Sequence, residues 1–279
     1  MGANSTLKRL PRVAGSFYPK ERAELARELE RCYATAADAE IPLERRAALG
    51  AVIPHAGFVY SGGVAAKVYA RLAVPASAIV LCPNHTGLGA RLSAWPGGSW
   101  LVPTAELAID EPLTRLLEEE CPGLEPDTLA HQNEHAIEVQ LPFLARDRAD
   151  VKIAAIVVGS HDPEKLRALG EGIARAIARA GREVLVIASS DMNHYEDQET
   201  TLDKDRAALE RLLARDPAGL LGICAARDIS MCGLGPTVAM LHATAKRGAA
   251  QALLVDHRTS GDVSGDFDRV VGYAGVVVR

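Results

Sequence analysis

No apolar run in the 279-residue chain approaches the ~18–20 residues that crossing a bilayer takes. The amino end also lacks the apolar core of a secretory leader. Both absences predict a cytoplasmic protein with no membrane partner. Cysteine is sparse and unpaired: Cys32, Cys82, Cys121, Cys224 and Cys232 are odd in number, and no two share a C-x-x-C spacing. That argues against a disulfide framework or a closed structural zinc site, and it fits a reducing compartment. Charge of one sign is missing too. With 31 Lys and Arg against 36 Asp and Glu, the net charge is −5. No general nucleic-acid-binding surface is therefore expected, although a local basic patch stays open. The chain has no G-x-S-x-G nucleophile elbow, which weakens a Ser/His/Asp hydrolase. Internal repeats, low-complexity tracts and a clear domain linker are likewise absent. The opening MGANST meets the loose myristoylation pattern through Gly2 and Thr6; so short a pattern recurs by chance and is read that way.

What is present is ordinary globular composition, 48% hydrophobic and 24% charged, in a chain long enough to bury its own core. The organising stretch is Gly50–Gly63. Ala51, Val52 and Ile53 form a short apolar run of the kind that reads as a buried strand, Pro54 ends it, and His55 stands at the break. A Gly and a Ser-Gly-Gly follow before a helix over 65–72. The pattern recurs at 78–82, cut by Pro83 with Asn84 and His85 behind it. It recurs again at 183–188, followed by Ser189, Ser190, Asp191, Met192, Asn193 and His194. One strand-end histidine is unremarkable; three at equivalent ends point to convergence, because open α/β sheets bind ligands beyond the carboxyl ends of their strands. The 51–53, 78–82 and 183–188 strands are expected to be neighbours ending at one cleft.

Length alone does not decide between one domain and two. The economical reading is a single α/β domain over 1–279, an apolar sheet between helical layers, with 1–12 an extended arm. A helix is expected over 20–36, and a hairpin from 92–95 to 99–102 around Pro96-Gly97-Gly98. Trp95 and Trp100 are assigned to packing on the sheet. Asp110 caps a helix to Glu120, and Asp162-Pro163 opens one to about 180. Further helices run over 198–214, 217–225 and 237–246, with strands at 151–158, 251–255 and 270–278. The HQNEH at 131–135 formally matches a zinc-peptidase motif. Asn133 reads as an N-cap and Pro142 follows too soon, so the two histidines do not share one long helix and the peptidase reading is rejected. Glu134 and His135 stay on the list of polar site candidates.

The chemistry-bearing set is His55, His85, Asp191, His194 and Cys232. Two imidazoles and one anionic ligand on one side of a metal leave positions open for substrate. A thiolate widens the choice to iron, copper or zinc. Cys232 precedes a helix N-terminus, whose potential favours thiolate. A Cys232/His194 nucleophilic pair remains open, whereas a blue-copper site built on neighbouring Met231 is set aside.

The blocks PHAGFVYSGGVAAKVY, PNHTG, NEHAIEVQLPFL, SSDMNHY and MCGLGP occur in that order, with VAGSFYP and WLVPTAELAID. Together they resemble the Memo family (mediator of ErbB-driven cell motility and its microbial relatives) from about Val13 to the last strand. Memo proteins in turn resemble class III LigB-type extradiol dioxygenases, which implies a three-layer α/β/α domain. The resemblance implies that His55, His85 and Cys232 hold one transition-metal ion, iron(II) before copper or zinc. His194 would be the acid/base group with Asp191 beside it, and Glu134 and His135 would lie on the substrate side. Cys232 stands where the dioxygenases carry a carboxylate, which separates this chain from them. The implied activity is a dioxygenase-like oxidoreductase on a small cyclic or aromatic substrate. The rival reading is a non-enzymatic module that binds a peptide or a metal in the same pocket. Resemblance to the AmmeMemoRadiSam system implies radical-SAM and AMMECR-type proteins as associates.

Overall fold

In the computed structural model, which describes residues 7–279, side-chain alternation along each buried strand assigns residues to one of two helical layers. The strands are β1 (Lys8–Arg9), β2 (Gly50–Ile53), β3 (Ser77–Pro83), β4 (Leu92–Ala94), β5 (Ser99–Val102), β6 (Ala105–Ala108), β7 (Glu125–Pro126), β8 (Lys152–Val158), β9 (Leu185–Ser189), β10 (His194–Glu196), β11 (Ala252–Thr259) and β12 (Val270–Val278). The helices are α1 (Arg22–Ala34), α2 (Phe58–Tyr69), α3 (Glu111–Glu120), α4 (Leu141–Asp147), α5 (Pro163–Ala180), α6 (Gln198–Leu213), α7 (Pro217–Arg227), α8 (Leu234–Lys246) and α9 (Gly261–Ser264).

The main sheet runs β10-β12-β2-β9-β3-β8-β4-β7, with β11 on the other edge of β12. At its centre β2, β9, β3 and β8 are parallel, with Ala51 opposite Ile187, Val80 opposite Ile187 and Leu81 opposite Ile156. Covered on both faces, these strands must be apolar throughout. Val52, Ile79, Leu81, Ile156 and Val186 join the core beneath α3 and α5–α8. Ala51, Ile53, Val80, Val157 and Ile187 face α1, α2 and α4 instead. The result is the three-layer α/β/α architecture expected from the sequence, and the three strands that lead to histidines are adjacent as foreseen. Helix starts are local and behave accordingly. The carboxylates of Asp110, Asp162, Asp197 and Asp216 each accept a backbone N–H from the first turn of the helix that follows, worth about 1 kcal/mol apiece.

Several expectations need correction. The 92–102 region is not a hairpin. Leu92–Ala94 joins the main sheet antiparallel to β8, whereas Ser99–Val102 turns through Pro103-Thr104 onto β6 in a separate sheet ordered β1-β5-β6. Helix α2 begins at Phe58, earlier than the Ser61-Gly62-Gly63 signal indicated. Gly62 is a packing residue, since a Cβ there would lie 2.7 Å from Cys32 Sγ on α1. Asn133 caps no helix; residues 129–140 form two short 3-10 turns, and α4 starts only at Leu141 with Pro142 in its first turn. The rejected peptidase motif accordingly lies on no continuous helix. Between β11 and β12 lies the short helix α9. Of the amino-terminal arm, the described part pairs with β5, Lys8 opposite Ser99 and Arg9 opposite Trp100; MGANST lies outside the described residues. Among those residues no helix is long and apolar enough to cross a membrane.

Candidate metal-binding cleft

Because β2, β9 and β3 are parallel neighbours, the chain leaves all three at one edge of the sheet. His55 follows β2, His85 follows β3, and Asp191 and His194 follow β9. Strand β12 narrows the arrangement further, since one of its edges pairs with β2 through Val276–Val278 and with β10 through Val270 and Val271. Cys232 arrives from the turn before α8, and His135 from the irregular 129–140 connection. These six side chains line one cleft of about 630 Å³, walled on its other sides by Phe17, Tyr195, Val271 and Tyr273.

Each of three imidazoles has its Nδ1 occupied, which leaves Nε2 free. His55 Nδ1 lies 3.0 Å from Ser189 Oγ. His85 Nδ1 lies 2.9 Å from Glu134 Oε1, and an ionised carboxylate only accepts, so this nitrogen carries the proton. His194 Nδ1 is 3.0 Å from the Ser230 carbonyl oxygen, which again forces Nδ1–H. One nitrogen from each of His55, His85 and His135 lies within 4.8 Å of the others. The His135 ring stacks on His85 at 4.8 Å and 18°, and His55 stands edge-on to both.

The protonation states follow from burial and neighbours. Burial, reinforced by the nearby His85, holds His55 down to about 3. Burial and the adjacent His55 hold His135 down to about 4. At neutral pH both rings are uncharged electron-pair donors. His85 goes the other way: burial pulls it down, but the hydrogen bond and charge of Glu134 more than offset this and raise it. Burial pushes Glu134 up; the His85 bond and charge and the Ala136 N–H outweigh that and hold it down to about 2. Its Oε1 also accepts the His135 and Ala136 N–H groups at 2.8 and 3.0 Å, and Oε2 the His85 N–H at 2.8 Å. Glu134 therefore braces the two outer histidines from behind.

Cys232 Sγ lies 3.4 Å from His55 Nε2 and accepts the Asp191 N–H at 3.2 Å. Burial first, then the charge of Asp191, raises the thiol well above its ordinary range. This corrects the helix-terminus argument for a thiolate, because Cys232 precedes the capping Gly233 and desolvation of its sulfur outweighs the helix potential, although the side chain keeps a partly exposed edge on the cleft. Asp191, itself pushed up by burial, accepts the His55 N–H at 2.7 Å. The histidine group could hold a metal ion; Cys232 stands beside His55 but falls outside the group of donor atoms that all lie within 4.8 Å of one another. Coordination itself would strip the thiol proton.

Arg9 and Glu138 form a buried pair that ties the amino-terminal arm to the 131–138 segment. Arg9 donates to the Glu134 carbonyl at 2.6 Å and the His131 carbonyl at 3.3 Å. Glu138 also accepts the Tyr18 hydroxyl and the Arg12 and Val13 N–H groups. Phe17, on the same arm, packs its ring 4.7 Å from that of His135. Sequence reasoning listed His135 only on the substrate side and missed Arg9, Gln140, Ser189 and Glu138 as supports. No local pattern marks those four. Trp95 and Trp100 are buried against one another and His131, the packing role assigned to them.

The family model described as Memo-like protein matches residues 9–277. A MEMO1 family protein of Methanopyrus kandleri is 39% identical over 98% of this chain and 99% of its own length. Those of Desulfurococcus amylolyticus and Pyrobaculum arsenaticum are 42% and 40% identical over 96% of this chain, and 97% and 98% of their own lengths.

Proposed function

The chain belongs to the Memo-like protein family, and on that premise we propose that the cleft binds one transition-metal ion through His55, His85 and Cys232, for oxidoreductase chemistry on a small cyclic substrate. The observation that carries the reading is the grouping of one nitrogen each from His55, His85 and His135 within 4.8 Å, with His55 backed by Ser189 and His85 by Glu134. His135, third member of that nitrogen group, is the nearest additional ligand. The bound ion, iron(II) by the family resemblance, would supply a Lewis acid and a redox centre. The remaining roles belong to the chain. His194, held by Ser230, presents an unprotonated Nε2 that takes a proton from a substrate hydroxyl or ring nitrogen. Asp191 keeps the His55 turn in place through the backbone. Phe17, Tyr195 and Tyr273 offer flat walls to a ring. By the same resemblance, radical-SAM and AMMECR-type proteins are its associates.

The test is metal analysis of protein purified without air, followed by titrations of His55→Ala, His135→Ala, Cys232→Ala and His194→Ala. Loss of affinity in the His55 and Cys232 variants, with metal retained in His194→Ala, is expected. Undiminished affinity in Cys232→Ala would move the third ligand to His135. Equal loss in all would remove the division between ligands and proton carrier. Metal binding without turnover of any ring substrate would favour a metal- or peptide-binding module.

A further inference from the structure

Behind His55 lies a fully buried chain of hydrogen bonds running Tyr69, Gln140, Ser189, His55. Its direction can be deduced from two backbone carbonyls that can only accept. Gln140 Nε2 lies 2.9 Å from the Pro54 carbonyl, and its Oε1 accepts the Tyr69 hydroxyl at 3.0 Å. The amide is thereby oriented, because a flipped one would set two acceptors against each other at Pro54. The second Nε2 hydrogen then points at Ser189 Oγ, 2.8 Å away. Ser189 in turn donates its single proton to the Ala136 carbonyl at 2.7 Å. Only a lone pair of Ser189 remains for His55, so His55 Nδ1 must be the donor and Nε2 must be bare. Nε2 is the nitrogen beside Cys232.

We infer that Gln140 and Ser189 are positioning residues that fix His55 in its Nδ1–H form, so that its Nε2 lone pair faces the cleft. The tautomer stands on these hydrogen bonds alone; its consequence for metal binding rests on the reading above. Either carbonyl alone would leave an alternative. Without Gln140, the Ser189 hydroxyl could turn to donate to Nδ1 and move the imidazole proton to Nε2, where it blocks a ligand position. Without Ser189, nothing holds the proton on Nδ1, and neutral imidazole in water prefers the Nε2–H form. Such outer partners commonly set which histidine nitrogen binds a metal.

The experiment records long-range proton–nitrogen correlations of 15N-histidine-labelled, metal-free protein, with His55 assigned from its loss in His55→Gln, and then titrates zinc alone. Wild type should show the Nδ1–H form. Ser189→Ala should shift His55 to Nε2–H and weaken zinc binding about 10–100-fold. Gln140→Leu should give a mixture and a smaller loss, and Ser189→Thr should restore both readouts. Should Ser189→Ala not fold, Gln140→Leu carries the same test. Retention of the Nδ1–H form in both Ser189→Ala and Gln140→Leu would overturn the inference, as would a tautomer switch that leaves zinc affinity unchanged. A wild type that keeps the Nδ1–H form but binds no zinc, with the shift to Nε2–H still seen in Ser189→Ala, would sink the metal reading and leave the assignment of Gln140 and Ser189 standing.

Discussion

Glu138→Ala tests how the amino-terminal arm is held. The Glu138 side chain is fully buried and faces the nearly buried Arg9 guanidinium. It also receives the Tyr18 hydroxyl and the N–H groups of Arg12 and Val13. Removing it leaves a buried cation without its counter-charge, at a cost of about 3–5 kcal/mol. The stranded Tyr18 hydroxyl adds about 1 kcal/mol or more, while Arg12 and Val13 sit near enough to the surface to find water. A loss of about 4–6 kcal/mol approaches the whole stability of a marginal domain, about 5–15 kcal/mol. Urea unfolding at pH 7 measures it. Trp100 fluorescence is a convenient probe, because Arg9 lies over that ring at 4.7 Å. The double variant Arg9→Met/Glu138→Leu replaces both charges with apolar bulk, so it should cost clearly less than the two single changes added together. A single-variant loss below about 1 kcal/mol, or a double variant that merely adds, would refute the reasoning.

Two further outcomes are expected. His131 is fully buried, and burial holds it down to about 4 from an ordinary value near 6.5. The folded state therefore binds fewer protons than the unfolded one between those values. Stability is intact above about 6.5 and falls by up to about 3 kcal/mol as the pH drops to about 4. His131→Phe should flatten that part of the pH–stability curve, and an unchanged slope would acquit the residue. Glu134→Gln removes the anion that raises His85 and fixes its Nδ1 proton, so metal affinity should drop about 10–100-fold in titration, with His85 titrating lower by NMR. Unchanged affinity and an unmoved His85 would refute the bracing role.

What could be read from the sequence was what neighbours in the chain decide. A proline closing an apolar run marks the end of a strand wherever the strand lies, just past Ile53 in one case and at Pro83 itself in the other, so His55 and His85 could be placed at strand ends. Asp110 and Asp162 cap their helices through N–H groups two or three residues away. Pairing partners were a different matter. Leu92–Ala94 and Ser99–Val102 carry similar strand signals, yet one meets Ile156–Val158 and the other Ala105–Ala108. Gly62 read as a breaker because its reason for being glycine sits on another helix. The position of His135 depends on Arg9, more than 120 residues away, and the Cys232 sulfur takes a hydrogen bond from the Asp191 N–H, 41 residues away. Neither dependence leaves a mark in spacing or composition.

The placement of β12 bears on how the protein is made. Strand β2 pairs on one side with β9 and on the other with β12, the last in chain order of the described strands. Once Ser189 has emerged, the parallel centre β2-β9-β3-β8 can assemble, but one edge of β2 stays open until Val278 follows. At ribosomal speeds of ~5–20 residues per second, the next ~90 residues take roughly 4–18 s. During that interval an apolar strand edge is available to any other nascent chain. The His194 strand has no β12 to pair with either, so the cleft is incomplete. A translation product that stops short of Val270 should thus be both siteless and prone to self-association, a natural client for chaperones that mask strand edges.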